Sequence, residues 1–82
     1  MDIYWDPEFP NKGEDVIVYA DVSKCDFFRY SYQMNIHLSE NSKSYSTHTM
    51  SRDYSKGLFI WTYNYNINEN IQMISHQLGG KR

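Results

Sequence analysis

The feature that most constrains the fold is the stretch Phe28 to Leu38, in which large apolar and polar side chains alternate without interruption. An α-helix needs apolar residues at spacings of three and four, whereas a strand turns successive side chains to opposite faces. The stretch therefore predicts one long antiparallel strand. The side chains expected on its core face are Phe28, Tyr30, Tyr32, Met34, Ile36 and Leu38.

The rest of the chain contains further short segments that have the composition of strands. Asp15 to Ser23 alternates most clearly, with Val16, Val18, Ala20 and Val22 directed to one face. The other strand candidates are Ile3–Trp5, Tyr45–Met50, Leu58–Tyr65 and Ile71–Leu78. Polar, proline- or glycine-containing breaks separate them, among them the polar segment from Ser51 to Gly57. Turn signals every 8–12 residues or so are typical of a β-sandwich or a small barrel.

Composition supports the same class of fold. Aromatic residues make up 17% of the 82-residue chain, whereas Ala20 is its only alanine. Aromatic side chains suit a pleated sheet, and alanine is the best helix former. The sequence predicts a single all-β domain over residues 1–82, an antiparallel β-sandwich of six to seven strands, with residues 79–82 as a tail or loop. The predicted core is Val16, Val18, Val22, Tyr32, Met34, Ile36, Phe59, Trp61 and Ile71.

Charge and hydropathy exclude several kinds of partner. Eight basic and ten acidic residues are spread along the chain for a formal net charge of −2, so no basic stripe is available to neutralise phosphates. No segment approaches the ~18 apolar residues of a membrane span. We therefore expect no nucleic-acid partner and no membrane insertion. The N-terminus does not resemble a signal peptide, so an extracellular domain would have to be part of a longer secreted chain.

The residue types that usually carry catalysis or bind metals do not form a recognisable pattern. His37, His48 and His76 have no metal-ligand spacing to one another or to Cys25, and a zinc site usually needs one close pair. Cys25 follows no activating motif and is adjacent to Asp26, whose charge disfavours a thiolate. The sequence therefore predicts no catalytic residues, no metal site and no cofactor. Calcium held by Asp6, Glu8, Asp21 and Asp26 is a minor alternative that lacks a calcium-loop motif.

Aromatic residues are in surplus over what a core of this size can bury, because each large ring covers about 150–250 Å². The candidates for an exposed ligand-binding set are Trp5, Tyr45, Tyr54, Tyr63 and Tyr65. A row of exposed rings would suit sugar stacking or a protein interface. The alternative is that tyrosine merely covers the surface of a sheet, with its ring packed and its hydroxyl in water.

The order of these features resembles an immunoglobulin-like or fibronectin-type-III-like module of microbial secreted and surface proteins. The matching pieces are Pro7 and Pro10, Gly13, Val16 to Val22, Tyr30 to Leu38, Thr49-Met50, Gly57-Leu58-Phe59 and Asn70 to Met73. Two departures stand out. The family's usual seventh strand would have to follow Ile71–Leu78, and the Cys–Trp–Cys core of antibody domains is absent. The sandwich is therefore a six-stranded version, is cut short, or is completed by another chain.

This resemblance implies a non-catalytic binding or spacer module of a larger extracellular or cell-surface protein. Its partner would be another protein or a neighbouring domain of the same chain. The chain is also similar to starch-binding modules that serve glycosidases, which implies polysaccharide binding as the alternative. Those modules usually carry a Trp-Asp-Asn element, which this sequence lacks.

Overall fold

The computed structural model describes residues 2–39, 45–67 and 75–81. Its elements, in chain order, are β1 (Asp2–Asp6), β2 (Asp15–Asp21), α1 (Asp26–Arg29), β3 (Gln33–Ser39), β4 (Ser46–Thr49), β5 (Ser51–Arg52), β6 (Ile60–Asn66) and β7 (Ser75–Lys81). The predicted all-β fold of six to seven strands is confirmed.

The strands form two antiparallel sheets. The first sheet has the order β1-β2-β6-β5, and the second has the order β4-β3-β7. The chain passes from the second sheet to the first at Met50, a residue that is 3% exposed and lies between β4 and β5. The Met50 N–H donates to the Met34 carbonyl oxygen at 2.8 Å, which ties this crossing to β3.

The core lies between the two sheets and is built from the alternation seen in the sequence. Val16, Val18 and Ala20 on β2 are fully buried, while the residues between them are half-buried. Met34 and Ile36 on β3 are likewise fully buried. Because side chains of a strand alternate between its two faces, these residues share one inward face on each sheet. The core is completed by Val22, Leu38, Met50, Trp61 and Ile67.

The first half of the predicted long strand is not a strand. Asp26–Arg29 forms the single helical turn α1, and β3 begins only at Gln33. The Cys25 carbonyl oxygen accepts hydrogen bonds from the backbone N–H groups of Phe28 and Arg29, at 3.1 and 2.9 Å. This turn lies in the connection between β2 of the first sheet and β3 of the second, so the strand alternation does not extend through it.

The predicted core changes accordingly. Tyr32 was expected to be buried and is 70% exposed, and Tyr30 is 66% exposed. Both lie in the link between α1 and β3, where the strand alternation does not apply. Phe28 and Phe59 are half-buried against the core. Ile71, also predicted in the core, lies outside the described residues.

The C-terminal strand extends further than the sequence indicated. Gly79, Gly80 and Lys81, predicted as a tail or loop, belong to β7 and pair with Asn35, Met34 and Gln33 of β3. Glycine weakens a strand but allows close backbone approach. At Gly80 a Cβ atom would lie 2.6 Å from Ser31 Oγ and 2.7 Å from Phe28 Cδ1. Glycine is therefore required where the α1 segment packs on β7.

The described residues contain no helix that could cross a membrane, since α1 spans only 4 residues.

The segment from Ser51 to Gly57, predicted as a polar turn, begins with β5. Ser51 and Arg52 pair with Thr62 and Trp61 of β6 and so place Arg52 opposite a buried ring.

Candidate functional site

The five residues predicted to bind a ligand lie in separate parts of the sandwich. Tyr63 and Tyr65 are half-buried on β6 and pack against the core. Tyr45 precedes β4 and is 53% exposed, whereas Tyr54 follows β5 and is 65% exposed. Apart from the neighbours Tyr63 and Tyr65, which both contact the His48 ring, the structure does not bring these residues together into one surface.

Trp5 belongs to a different feature on the edge strand β1. Its indole Nε1–H donates to the Glu8 carbonyl oxygen at 2.9 Å, across the cis peptide bond between Asp6 and Pro7. Ile3, Tyr4, Trp5 and Glu8 line an open pocket of about 300 Å³. The Tyr4 ring stacks on Tyr19 of β2, with centroids 4.9 Å apart.

Exposed aromatic and aliphatic side chains concentrate at one end of the sandwich. This end is formed by the link from β2 to β3, which contains α1, and by the link from β5 to β6. A hydrogen bond joins β5 to the link before β3 here, because Arg52 Nη2 donates to the Ser31 carbonyl oxygen at 2.9 Å. Five of the eight exposed large hydrophobic side chains among the described residues lie at this end: Phe27, Tyr30, Tyr32, Tyr54 and Leu58.

Two arginines stack on the rings that close the core at this end. The Arg52 guanidinium carbon lies 4.6 Å from the centroid of the Trp61 ring and 5.6 Å from that of Tyr54. The Arg29 guanidinium carbon lies 5.1 Å from the Phe59 centroid and 5.6 Å from the Tyr30 centroid. Each guanidinium therefore contacts one exposed tyrosine and one further ring, the buried Trp61 or the half-buried Phe59. We call the set Arg29, Tyr30, Tyr32, Arg52, Tyr54, Phe59 and Trp61 the arginine–aromatic end.

The strand geometry explains why the two arginines are held at this place. Arg52 is directly opposite Trp61 in the pairing of β5 with β6, and residues so paired have Cβ atoms about 4.5–5.5 Å apart. Arg29 is at the last position of α1, next to the exposed Tyr30. Arginine stacks on aromatic faces through its planar charged group, an attraction worth about 0.5–2 kcal/mol.

The arginine–aromatic end also holds hydrogen-bonding groups that have no partner. Among the described residues, four buried side-chain polar atoms lack one: Arg29 Nε, Ser31 Oγ, Arg52 Nε and Trp61 Nε1. All four lie within this end of the sandwich. Three of them are N–H groups that can only donate. A buried donor without an acceptor costs about 1–3 kcal/mol, and this end of the sandwich thus holds more hydrogen-bond donors than acceptors.

Tyr54 is the only residue of this surface among the predicted ligand-binding residues. The strand pattern assigned Tyr30 and Tyr32 to the core, and Arg29 and Arg52 were not among the candidate site residues. A signal was nevertheless present. Each arginine is close in sequence to a tyrosine, as Arg29-Tyr30 and Arg52-Asp53-Tyr54, and both residue types are enriched in protein-binding hot spots.

Residues that could hold a metal do not cluster in the part of the chain that the structure describes. No group of three or more His, Cys, Asp or Glu side chains is positioned there to bind an ion. Cys25 is a free, half-buried cysteine at the start of α1. His37 Nδ1 instead shares a hydrogen bond with the Thr47 hydroxyl at 2.8 Å.

Comparison with known proteins adds no candidate. No protein-family model, no curated protein and no solved structure matches this chain. The case for a function therefore rests on the chemistry of the described residues.

Proposed function

We propose that this chain is a non-catalytic, immunoglobulin-like binding module of a larger extracellular or cell-surface protein, and that it binds a protein partner. The observation that carries the proposal is the concentration of exposed rings and arginines at the arginine–aromatic end. Arginine and tyrosine contribute a large share of the binding energy in protein interfaces. Large exposed apolar patches on soluble domains commonly mark such interfaces.

The strand order supports the immunoglobulin-like part of the proposal. Immunoglobulin sandwiches have strands A-B-E-D in one sheet and C-F-G in the other, and some add a strand beside C. The order β1-β2-β6-β5 agrees with A-B-E-D. The order β4-β3-β7 agrees with an added strand beside C, followed by C and then F. Within the described residues no strand pairs with the outer edge of β7, where strand G lies in that fold.

The position of the arginine–aromatic end supports a binding role. In immunoglobulin variable domains the loops at one end of the sandwich form the binding surface, and the B–C loop is among them. The link from β2 to β3 is the equivalent connection here, and it supplies Arg29, Tyr30 and Tyr32. A rigid two-sheet scaffold that presents rings on loops at one end suits recognition without catalysis.

A binding screen with matched variants tests this proposal. The wild-type chain is screened against an array of purified extracellular protein domains, alongside Tyr30→Ser/Tyr54→Ser and Phe9→Ser/Tyr45→Ser. Both pairs remove two exposed rings, which are 66% and 65% exposed in the first pair and 71% and 53% in the second. We expect a partner that binds the wild type and the second pair but not the first. The absence of any partner would leave only a spacer role.

The pocket on β1 favours a second candidate function, the binding of a polysaccharide. Trp5 and Tyr4 line that pocket beside Glu8, and an aromatic ring with a nearby polar group is a suitable contact for a sugar. This candidate predicts that a soluble glucan quenches tryptophan fluorescence and retards the chain in an affinity gel. Trp5→Ala should abolish both effects, and a polysaccharide panel without any shift would exclude this function.

A further inference from the structure

We infer that the partner presents an acidic polypeptide segment to the arginine–aromatic end, with two carboxylates that contact Arg29 and Arg52. This inference rests on the proposed protein-binding function and specifies the chemistry of its partner. Three independent observations support it: the spacing of the two residues whose rings lie under the guanidinium groups, the excess of donors over acceptors, and the charge of residues 22–32 and 52–59, which form this end.

The spacing is that of the two residues on whose rings the arginines stack. Phe59 and Trp61 are two residues apart, and the Val22 N–H donates to the Phe59 carbonyl oxygen at 3.1 Å, which continues the pairing of β2 with β6. Two residues of a strand span about 7 Å and direct their side chains to one face. The backbone positions of Phe59 and Trp61 are therefore on the order of 7 Å apart, and one guanidinium group lies over each of their rings. Acidic residues at alternate positions of an extended partner segment have the same spacing.

The hydrogen-bonding balance of this end favours an acceptor. Arg52 directs Nη2 to the Ser31 carbonyl oxygen and Nη1 to the Tyr54 hydroxyl, which leaves its Nε–H unpaired. Arg29 has an unpaired Nε–H and one distant ion pair, with 3.9 Å between its Nη1 and Asp26 Oδ1. Carboxylates accept only, and charge-assisted pairs with arginine are about twice as strong as neutral hydrogen bonds.

The charge of this end differs in sign from that of the chain. Residues 22–32 and 52–59 contain four basic and two acidic residues, a formal charge of +2, whereas the whole chain carries −2. The remaining residues thus carry −4. An acidic partner is attracted to this end and repelled by the rest of the surface. Complementary charge of this kind orients a partner and raises its association rate.

The exposed apolar side chains favour a polypeptide over an acidic polysaccharide. Phe27 is 58% exposed and Leu58 is 68% exposed beside the arginines. Apolar side chains of a partner protein can cover them and stabilise the complex through buried area. Acidic sugars supply carboxylates but few apolar groups for these two positions.

The test uses NMR of the whole chain with a short acidic peptide, acetyl-Asp-Ser-Asp-Ser-Leu-amide, as probe. The readouts are the Nε–H resonances of Arg29 and Arg52 and the indole N–H of Trp61. The indole N–H of Trp5 is the internal reference, because it is already bonded to the Glu8 carbonyl oxygen on β1. One control peptide has Asn in place of both Asp, and another has the two Asp residues adjacent.

We expect the acidic probe to shift the arginine resonances while the Trp5 reference stays unchanged. The Asn peptide should bind about 10- to 100-fold more weakly, as loss of charged hydrogen bonds implies. The peptide with adjacent acids should also bind more weakly than the probe. Arg29→Gln and Arg52→Gln should each weaken the probe at least about tenfold. Lys56→Gln, which removes an exposed charge of the same end, should change affinity by less than about threefold.

Each contrary result has a definite meaning. Equal binding of the Asp and Asn peptides overturns the acidic partner. If a partner found in the array is lost in Tyr30→Ser/Tyr54→Ser, the proposed function nevertheless stands. If polygalacturonate shifts the arginine resonances and the acidic peptide does not, the partner is an acidic sugar and not a polypeptide. If the Arg52→Gln spectrum lacks the dispersion of a folded chain, the affinity of Arg29→Gln for the acidic probe alone tests the inference. The Arg29 side chain is 36% exposed, so its replacement should leave the fold intact.

Discussion

The imidazole of His48 stacks on the phenol ring of Tyr63 with centroids 4.4 Å apart, although the two residues belong to different sheets. The His48 ring also meets Tyr65 at 5.8 Å, edge to face, and its Nε2 shares a hydrogen bond with the Ser46 hydroxyl at 2.7 Å. The His48 side chain thus links β4 to β6 directly. Burial of the ring lowers the pKa of His48 below its ordinary value of 6.5.

The first prediction is that the sandwich loses stability in mild acid through His48. Because the folded pKa is lowered, the unfolded chain binds a proton more readily than the folded chain. The free energy of unfolding is therefore highest above pH 6.5 and declines as the pH falls from 6.5 through the folded pKa of His48. Urea unfolding at several pH values measures this decline, and the His48 ring resonances give its pKa directly.

A matched variant assigns that effect to one side chain. His48→Phe keeps an aromatic ring on Tyr63 but cannot be protonated, so its stability should vary less with pH in the same window. A variant whose free energy of unfolding declines as steeply with falling pH as that of the wild type would contradict the assignment.

Asp21 affects stability in a separate, more acidic pH range, because the Ser23 N–H bonded to its carboxylate at 3.0 Å lowers its pKa below 3.8. The stability that Asp21 contributes is present above pH 3.8 and is lost as the pH falls further.

The second prediction compares two adjacent glycines of β7. An added Cβ at Gly80 would lie 2.6 Å from Ser31 Oγ and 2.7 Å from Phe28 Cδ1, whereas at Gly79 it would meet nothing within 4 Å. Gly80→Ala should lower the free energy of unfolding by about 1–3 kcal/mol, the usual cost of overpacking. Gly79→Ala should be neutral or stabilising by about 0.4–1 kcal/mol, because alanine restricts the unfolded chain. Equal effects at the two positions in urea unfolding would rule out this packing.

The strands β2 and β7 show which parts of the fold the sequence can predict and which it cannot. The alternation of Val16 to Val22 identified β2 and its buried face, because one face of that strand meets only apolar partners. Gly79 and Gly80 carry no side chain and so give no periodic signal. Their place in β7 depends on pairing with β3, a distant segment of the chain.

The strand pattern missed the arginine–aromatic end for a related reason. Tyr30 and Tyr32 continue the period of β3 in sequence, but the crossing between the sheets interrupts the extended chain before them. Tyrosine fits both a buried and an exposed position, so its identity did not separate the two outcomes. Arg52 meets Trp61 on the neighbouring strand, and Arg29 of α1 meets Phe59 just before β6. No local pattern records such contacts.

The third prediction compares a residue that is buried in the core with one that the sequence wrongly placed there. Ile36 is fully buried, whereas Tyr32, predicted in the same core face, is 70% exposed. Ile36→Ala should lower the free energy of unfolding by about 2–5 kcal/mol, because it removes buried methyl groups and leaves a cavity. Tyr32→Ser should stay within about 0.5 kcal/mol of the wild type. A large loss for Tyr32→Ser would restore this ring to the core and contradict the exposed surface that the proposed function needs.

The fourth prediction concerns the turn between β1 and β2, which is held to the end of β6. The Gly13 N–H donates to the Ile67 carbonyl oxygen at 2.7 Å, and Asn66 Nδ2 donates to the Gly13 carbonyl oxygen at 3.1 Å. These bonds hold Gly13 at a φ of +87°, a conformation that residues with a Cβ rarely adopt. Space does not limit this position, since an added Cβ would meet nothing within 4 Å.

Any loss of stability at Gly13 must therefore come from the backbone conformation. Gly13→Ala should lower the free energy of unfolding by about 1–2 kcal/mol, the cost of a left-handed conformation for a residue with a Cβ. Gly13→Asn should cost less, because asparagine visits this region more readily. Chemical denaturation of the three proteins at one pH gives both differences. Asparagine as costly as alanine would mean that something other than φ limits this position, and a neutral alanine would mean that the turn can adopt a negative φ without losing its bonds to Ile67 and Asn66.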